Sequence, residues 1–209
     1  MTGLAILYSF RRCPYAMRGR MGLKVSGLDY EHREILLRDK PEEMLSISPK
    51  GTVPVFQSDD MVIEESLDLL LFALEKNDPL GWLDCDREEA DQMITRNDGE
   101  FKHHLDRFKY ASRYNDEAKR GDVDLSHRAE AEVIIADYES RLTKQAFLLG
   151  ARQTIADIAI FPFMRQFANT DINWWNAASY PATREWLTRH VESDLFRSIM
   201  TKYPLWKAA

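Results

Sequence analysis

The chain has 209 residues and a formal net charge of −6, and 44% of its residues are hydrophobic. This length fits one large domain or two modest ones, with enough apolar content for a sizeable core. The mildly acidic chain has no basic block and no apolar run near the roughly 20 residues that span a bilayer, which argues against nucleic-acid and membrane partners. With no secretory leader and only two cysteines, Cys13 and Cys85, we expect a cytoplasmic protein.

The beginning of the chain predicts a parallel strand–helix–strand unit. The apolar run at 4–9 predicts a buried strand, and the apolar spacing over 17–28 predicts one face of a helix that stops near Gly27. Residues 30–37 predict a second strand. A strand, a helix and a strand within about 35 residues form a βαβ unit with a parallel pair.

Two further strands and a helix follow. Residues 52–57 and 61–66 predict strands joined by a short turn at Ser58, Asp59 and Asp60. Residues 66–77 then predict a helix. We interpret the segment up to Asn77 as an α/β module of βαββα type.

The remainder of the chain predicts helices alone. Pro79 and Gly81 interrupt the pattern, so we expect a linker at 78–86 between a first domain at 1–77 and an all-helical domain at 87–209. The predicted helical segments are 87–119, 124–145, 154–169, 181–191 and 194–202.

Cys13 precedes the predicted first helix. With Pro14 at the first helical position, the free N–H groups and the macrodipole favour an anion at Cys13, and Arg11 and Arg12 add positive charge. These conditions lower a thiol pKa, so Cys13 is a candidate nucleophile; the alternative is a small apolar side chain at a helix start. Ala16 replaces the second cysteine of a C-x-x-C motif, so a reactive Cys13 must form its mixed disulfide with an external thiol.

Pro54 lies inside a predicted strand, where proline cannot donate to the ladder. A cis Val53–Pro54 bond is one solution, because it would turn the Val53 backbone groups outward to pair with an extended peptide. The alternative is a trans proline on an edge strand.

Glu65 and Ser66 form a strand-to-helix junction. Ser66 is an N-cap candidate, and Glu65 places an acceptor near the helix donors. Together they can hold the amine and carboxylate of a ligand, or they form an ordinary helix start.

These three features, in this order, resemble the glutathione-binding domain of cytosolic glutathione transferases, and the helical remainder resembles their second domain. The motif CPYA makes the chain similar to the omega-type or omega-like bacterial members. The segment GARQTIADIAIFPFMRQF is similar to the family's buried-helix motif, with Thr154 and Asp157 spaced as a capping box. The resemblance implies a thioredoxin-like N-terminal domain and an all-α C-terminal domain.

The resemblance also implies roles for individual residues. Cys13 would contact or attack the glutathione sulfur. The glutathione contacts would be Lys40 for the glycyl carboxylate, Val53 with Pro54 for the cysteinyl part, and Glu65 with Ser66 for the γ-glutamyl end.

The implied activity is thiol transfer with glutathione as co-substrate and no metal, in a homodimer. Its second substrate would be a small disulfide, dehydroascorbate, a glutathione conjugate or another electrophile. Tyr8 and Ser9 are alternative catalytic residues, since they match the hydroxyls of conjugating classes. A further alternative is a non-catalytic, stress-associated binding protein on the same fold. We expect His103 and His104 to lie on a solvated helix face and Cys85, between two aspartates, to be unreactive.

Overall fold

The computed structural model describes residues 4–59 and 61–208, so Asp60 of the predicted turn lies outside the described residues. The chain forms two compact units. The first comprises the described residues up to Gly81 together with those from Ser193 onward, and the second is Trp82–Glu192. The sequence analysis assigned 193–209 to the helical domain, whereas this segment packs with the sheet.

The first unit is a four-stranded sheet with helices. Its strands run in the order β2-β1-β3-β4, with β1 parallel to β2, and with β3 antiparallel to both β1 and β4. Its elements up to Gly81 are β1 (Ala5–Ser9), α1 (Pro14–Ser26), β2 (Tyr30–Glu34), α2 (Glu42–Ile47), β3 (Val55–Ser58), β4 (Met61–Ile63) and α3 (Ser66–Lys76).

The thioredoxin-like α/β architecture is confirmed, but the βαββα pattern was incomplete. The order is βαβαββα, because α2 was missed; four strands are present at the four predicted places, although the label βαββα counts only three of them. The helix α2 has only six residues, too few for a periodic apolar pattern. The predicted third strand begins later than expected, at Val55, because Pro54 has no N–H to give to the ladder.

Two glycines let α1 and α3 approach closely. A methyl group on Gly19 would lie 2.7 Å from Leu69 Cδ2, and one on Gly22 would lie 3.1 Å from the backbone Cα of Leu70. Leu69 is fully buried and belongs to the same apolar cluster as Leu7 of β1. This contact packs the first half of α3 against the middle of α1.

The C-terminal segment joins the sheet edge at β2. After helix α10 (Asp194–Ile199), Leu205 forms a parallel bridge with Glu34, and the Trp206 backbone N–H donates to the Glu34 carbonyl at 2.9 Å. The ring of Tyr203 stacks on His32 at 4.1 Å between centroids. In the described part of the chain, the opposite edge strand β4 pairs with β3 alone.

The second unit is helical, as predicted. Its elements are α4 (Arg87–Arg96), a π-helical turn (Asn97–Phe101), α5 (Lys102–Lys109), a 3-10 turn (Ala111–Arg113), α6 (Leu125–Leu142), α7 (Ile155–Ala168), α8 (Ile172–Ala177) and α9 (Pro181–Val191). The short α8 was not predicted, and the helix expected to reach residue 119 ends at Lys109. None of the helices in the described residues is both long and apolar enough to cross a membrane.

Asp157 in the first turn of α7 is the polar centre of this unit. It is fully buried, and its carboxylate accepts from the Thr154 N–H at 2.9 Å and the Thr154 hydroxyl at 3.1 Å, which confirms the capping box. It also accepts from the Leu148 N–H and from Trp186 Nε1, both at 2.9 Å. Burial raises the pKa of Asp157, and these four donors oppose that rise.

We predict that Asp157→Asn lowers the free energy of unfolding by about 2–3 kcal/mol, because an amide has one acceptor oxygen and leaves buried donors unpaired. Urea denaturation measures the loss. Asp86→Asn is the matched control: Asp86 caps α4 at an exposed site by accepting from the Glu89 N–H, and asparagine caps a helix equally well. Equal stabilities of the two variants would contradict this role of Asp157.

Candidate active site

Cys13 occupies the N-cap position of α1, directly before Pro14, as the sequence predicts. The cysteine is partly buried. Its backbone N–H donates to the Phe10 carbonyl at 3.0 Å, and its thiol Sγ lies 3.7 Å from the Val53 carbonyl oxygen, to which it donates. The thiol therefore lies at a helix N-terminus and beside the Val53–Pro54 segment.

The loop that carries Cys13 is held by Arg20, a residue that the sequence analysis missed. Its side chain is 1% exposed. The guanidinium donates to Ser9 Oγ at 2.5 Å and to the carbonyls of Phe10 at 3.4 Å and Arg11 at 2.8 Å. Burial lowers the pKa of Arg20, whereas the negative charge of Glu34 raises it.

Glu34 fixes the same loop from the other side. Its carboxylate accepts from the Arg11 backbone N–H at 2.7 Å and contacts His32 Nε2 at 3.1 Å. Arg11 is partly buried and Arg12 is exposed. Of the three arginines near this loop, Arg20 is therefore the buried one, whereas Arg11 and Arg12, which precede Cys13 in sequence, are partly buried and exposed, respectively.

A pocket of about 360 Å³ lies at the Val53–Pro54 segment. Cys13 does not line it, but the Cys13 thiol contacts the carbonyl of Val53, which does. The Val53–Pro54 peptide bond is cis, the first of the two predicted alternatives. The pocket is lined by Tyr15, Lys50, Thr52, Val53, Pro54, Glu64, Glu65 and Ser66. Four of the predicted glutathione contacts, Val53, Pro54, Glu65 and Ser66, are therefore together.

The strand-to-helix junction differs from the prediction in one detail. Glu65, not Ser66, is the N-cap residue of α3, and Ser66 is its first helical residue. Ser66 Oγ is buried and accepts from Arg18 Nη1 at 3.3 Å. The Ser66 hydroxyl is therefore positioned by its charge-assisted hydrogen bond with Arg18 and does not cap α3.

Two cations that the sequence analysis did not identify lie at the pocket: Lys50 lines it, and Arg18 bonds to Ser66, which lines it. Lys50 Nζ pairs with Glu65 Oε1 at 2.5 Å, in an exposed ion pair whose Glu65 side chain is 68% exposed. Arg18 is 1% exposed and lies behind Ser66. Together with the positive end of the α3 dipole, these charges suit a ligand carboxylate.

Lys40 lies outside the set of residues that line this pocket. It lines a neighbouring one with Trp206, and its Nζ would be 3.2 Å from a methyl group on Gly51. Because Gly51 follows Lys50 and has a φ of 61°, Lys40 packs on a turn that adjoins the pocket rim.

The hydroxyls of Tyr8 and Ser9, the alternative catalytic residues, are hydrogen-bonded to arginine side chains. Tyr8 is 1% exposed, and its hydroxyl accepts from Arg33 Nη1 at 2.7 Å. Ser9 is fully buried and bonded to Arg20. Like Cys13, neither residue lines the pocket, but the Cys13 thiol hydrogen-bonds to Val53, which does.

The second thiol, Cys85, has a different environment. It is partly buried like Cys13, and its Sγ donates to the Trp82 carbonyl at 3.7 Å. Burial raises the pKa of Cys85; the positive charge of Arg87 opposes this rise, and the carboxylates of Asp157 and Asp86 add to it.

Two family models match the chain. The model described as glutathione S-transferase, N-terminal domain, matches residues 7–81, and the model described as glutathione S-transferase, C-terminal domain, matches residues 103–194. The two matches lie in the two compact units and together cover most of the chain.

Similarity to named relatives is limited to shorter stretches. Glutathione S-transferase 1 of Dianthus caryophyllus is 37% identical over 73 residues, which are 34% of this chain and 33% of that protein. Glutathione S-transferase omega-2 of Homo sapiens is 41% identical over 56 residues, which are 27% of this chain and 23% of that protein. The matched stretch thus spans a third or less of these relatives.

Solved structures share the whole fold. Glutathione transferase Omega 3C from Trametes versicolor has a TM-score of 0.77 at 20% identity, covering 97% of this chain and 91% of that one. Glutathione S-transferase-I bound with lactoylglutathione has a TM-score of 0.74 at 21% identity, covering 95% and 99%. With both domain models matched and the fold shared, the chain belongs to the glutathione S-transferase superfamily.

Proposed function

We propose that this glutathione transferase is an omega-like thiol transferase in which Cys13 forms a mixed disulfide with glutathione. The observation that supports the proposal is the place of the Cys13 thiol, at a helix N-terminus and 3.7 Å from the Val53 carbonyl that adjoins the pocket. Ala16 stands where a resolving cysteine would be, so the second thiol must come from solution.

The reaction has two exchange steps. The Cys13 thiolate attacks the glutathionyl sulfur of a mixed disulfide; the Cys13–glutathione bond forms, and the substrate sulfur leaves as a thiolate that takes up a proton. The thiolate of a second glutathione then attacks the sulfur of the bound glutathione. Oxidised glutathione leaves and the Cys13 thiolate is regenerated, so that one glutathione is consumed for each disulfide reduced.

Glutathione would lie as an extended peptide along the pocket. The Val53 backbone before Pro54 pairs with its cysteinyl part, and Glu65 and Ser66 take the γ-glutamyl end. Arg18 supports Ser66 from behind and attracts the γ-glutamyl carboxylate. Lys40 would reach the glycyl carboxylate from the adjoining turn.

Conjugation through a hydroxyl is the alternative. Such a reaction needs Tyr8 or Ser9 to donate to a glutathione thiolate, but both are buried and engaged with arginines. A purely binding role on this fold is the other alternative, and it would leave Cys13 without a redox function. A cytoplasmic location is part of the proposal, consistent with a free thiol as nucleophile.

We predict that Cys13→Ser abolishes reduction of small glutathione mixed disulfides, because a serine hydroxyl is not ionised at neutral pH and oxygen cannot enter the exchange. Glutathione should still bind this variant with near-native affinity, since Lys40, Glu65 and Ser66 remain. Coupled turnover assays and isothermal titration measure the two quantities.

The matched control for this test is Cys85→Ser, which should keep full turnover. Conjugation of a small electrophile is measured on the same variants. If disulfide reduction survives Cys13→Ser while Tyr8→Phe or Ser9→Ala removes it, the protein is a hydroxyl-dependent transferase. If neither activity is found in the wild type although glutathione binds, the binding alternative is correct.

We predict that iodoacetamide labels Cys13 before Cys85 at neutral pH. Because burial raises the pKa of Cys85 above its ordinary value of 9.0, the Cys85 rate should increase only in more alkaline solution. Peptide mass spectrometry over a series of pH values gives both rates. Faster labelling of Cys85 at mildly acidic pH would overturn the assignment of Cys13.

We also expect a homodimer, by resemblance to the family and because the short edge strand β4 pairs only with β3 within the described residues. Sedimentation equilibrium at micromolar concentration should give twice the mass of one chain. A mass equal to one chain would contradict the expectation.

A further inference from the structure

Three of the histidines meet at the surface of the helical unit. Their ring centroids are 5.0 Å apart for His103 and His104, 5.1 Å for His104 and His127, and 5.7 Å for His103 and His127. One ring nitrogen from each lies within 4.8 Å of the other two. His103 is exposed and the other two are partly buried, so the cluster is open to solvent on one side.

The fold brings these residues together from two helices. His103 and His104 are on α5, and His127 is in the first turn of α6. The Asp124 backbone N–H donates to the Phe108 carbonyl at 3.1 Å, which holds the start of α6 against the end of α5. The π-helical turn just before α5 adds one residue to a turn and so rotates all that follows by about 100°.

Hydrogen bonds engage the Nδ1 atom of each ring in the cluster. His104 Nδ1 and His127 Nδ1 are 2.8 Å apart, a distance at which one ring N–H donates to the other nitrogen. At least one of the two rings is therefore neutral, since two charged imidazoliums would have no acceptor to offer. A metal ion can replace the shared proton.

The charges around the cluster include both signs. Arg107 Nη1 lies 3.0 Å from His103 Nδ1 and opposes a cation. Carboxylates act on the histidines in the opposite direction: Glu100 and Glu130 on His104, Asp106 on His103, and Asp124 with His127. Asp106 is partly neutralised by its ion pair with Lys102.

We propose that His103, His104 and His127 form a binding site for a divalent transition metal of the zinc type. Three imidazole nitrogens with an open position match the ligand set that zinc takes when water completes a tetrahedron. Nitrogens around such an ion are about 3.4 Å apart, given zinc–nitrogen bonds of about 2.0–2.1 Å. The side chains would therefore have to rotate from the observed arrangement, in which one ring nitrogen of each lies within 4.8 Å of the other two and the Nδ1 atoms of His104 and His127 are 2.8 Å apart.

The proposal departs from the sequence-based expectations that His103 and His104 lie on a solvated helix face and that the protein binds no metal. The bound metal would link α5 to α6 across the connection at 110–124, in which the one helical element is the 3-10 turn Ala111–Arg113. A ligand that binds the native state alone stabilises it, so metal should protect this connection from proteolysis.

The test is zinc binding by the full chain, with both thiols blocked by iodoacetamide so that cysteine ligation is excluded. A chelator-competition titration should show one equivalent bound. Cobalt(II) should give the visible spectrum of a tetrahedral site without a thiolate charge-transfer band. His104→Gln and His127→Gln should each weaken zinc binding by at least about tenfold, while His32→Gln, a histidine in the other unit, should leave it unchanged.

Arg107→Gln should change the zinc affinity in the opposite direction from the histidine variants. It keeps all three histidines and removes the positive charge next to His103, so zinc should bind about tenfold more tightly. If a histidine variant fails to fold, Arg107→Gln still tests the proposal, because unchanged or weaker zinc binding in this variant would contradict it. No zinc binding by the thiol-blocked wild type, or equal affinity in His127→Gln, would show that the cluster is only a hydrogen-bonded group of imidazoles.

Discussion

The buried guanidinium of Arg20 is the interaction on which the candidate active site depends. A charge taken out of water is tolerated only where its donors find acceptors, and Arg20 finds four. Besides Ser9 Oγ and the carbonyls of Phe10 and Arg11, its Nε donates to the Ile199 carbonyl at 3.1 Å. One side chain therefore fixes both the loop that ends at Cys13 and the last turn of α10.

The same helix carries the second buried arginine, and the two have different tasks. Arg20 points to the loop before Cys13, whereas Arg18 points to Ser66 at the start of α3. The close contact at Gly19 and Gly22 brings α3 near enough for that bond. Helix α1 therefore contacts each part of the candidate site. Arg20 bonds to the loop before the Cys13 thiol, Gly19 packs near Pro54, and Arg18 bonds to Ser66 at the start of α3.

The sequence predicted the parts of the site that are local in the chain. A proline after a cysteine marks a helix start, and a Glu–Ser pair after a strand marks another, because backbone donors and side-chain acceptors follow each other closely there. Arg18 and Arg20 were missed because arginine is almost always exposed, and helical periodicity assigns such positions to the solvent face. Lys50 was missed because no sequence motif marks it, and only the path of its loop places it beside Glu65.

Features that depend on contacts between residues far apart in the sequence were also not predicted. His104 and His127 are separated by a connection that has no periodic pattern, so that only the packing of α5 on α6 reveals their contact. The six-residue helices α2 and α8 lack the length for an apolar period. The C-terminal segment was assigned to the helical domain because helices neighbour it in sequence, yet Leu205 and Trp206 bond to Glu34.

The choice of arginine at position 20 has a chemical consequence for the thiol. A guanidinium stays protonated even when burial lowers its pKa, whereas a buried lysine can release its proton and lose its charge. A negative charge on Cys13 raises the pKa of Arg20, so the two groups attract each other when the thiolate forms. Because Arg20 is fixed by four acceptors, its charge does not have to move as Cys13 gains and loses a proton. Such a fixed charge stabilises a leaving thiolate and an attacking thiolate equally, which suits the proposed exchange reaction, in which Cys13 would have both roles.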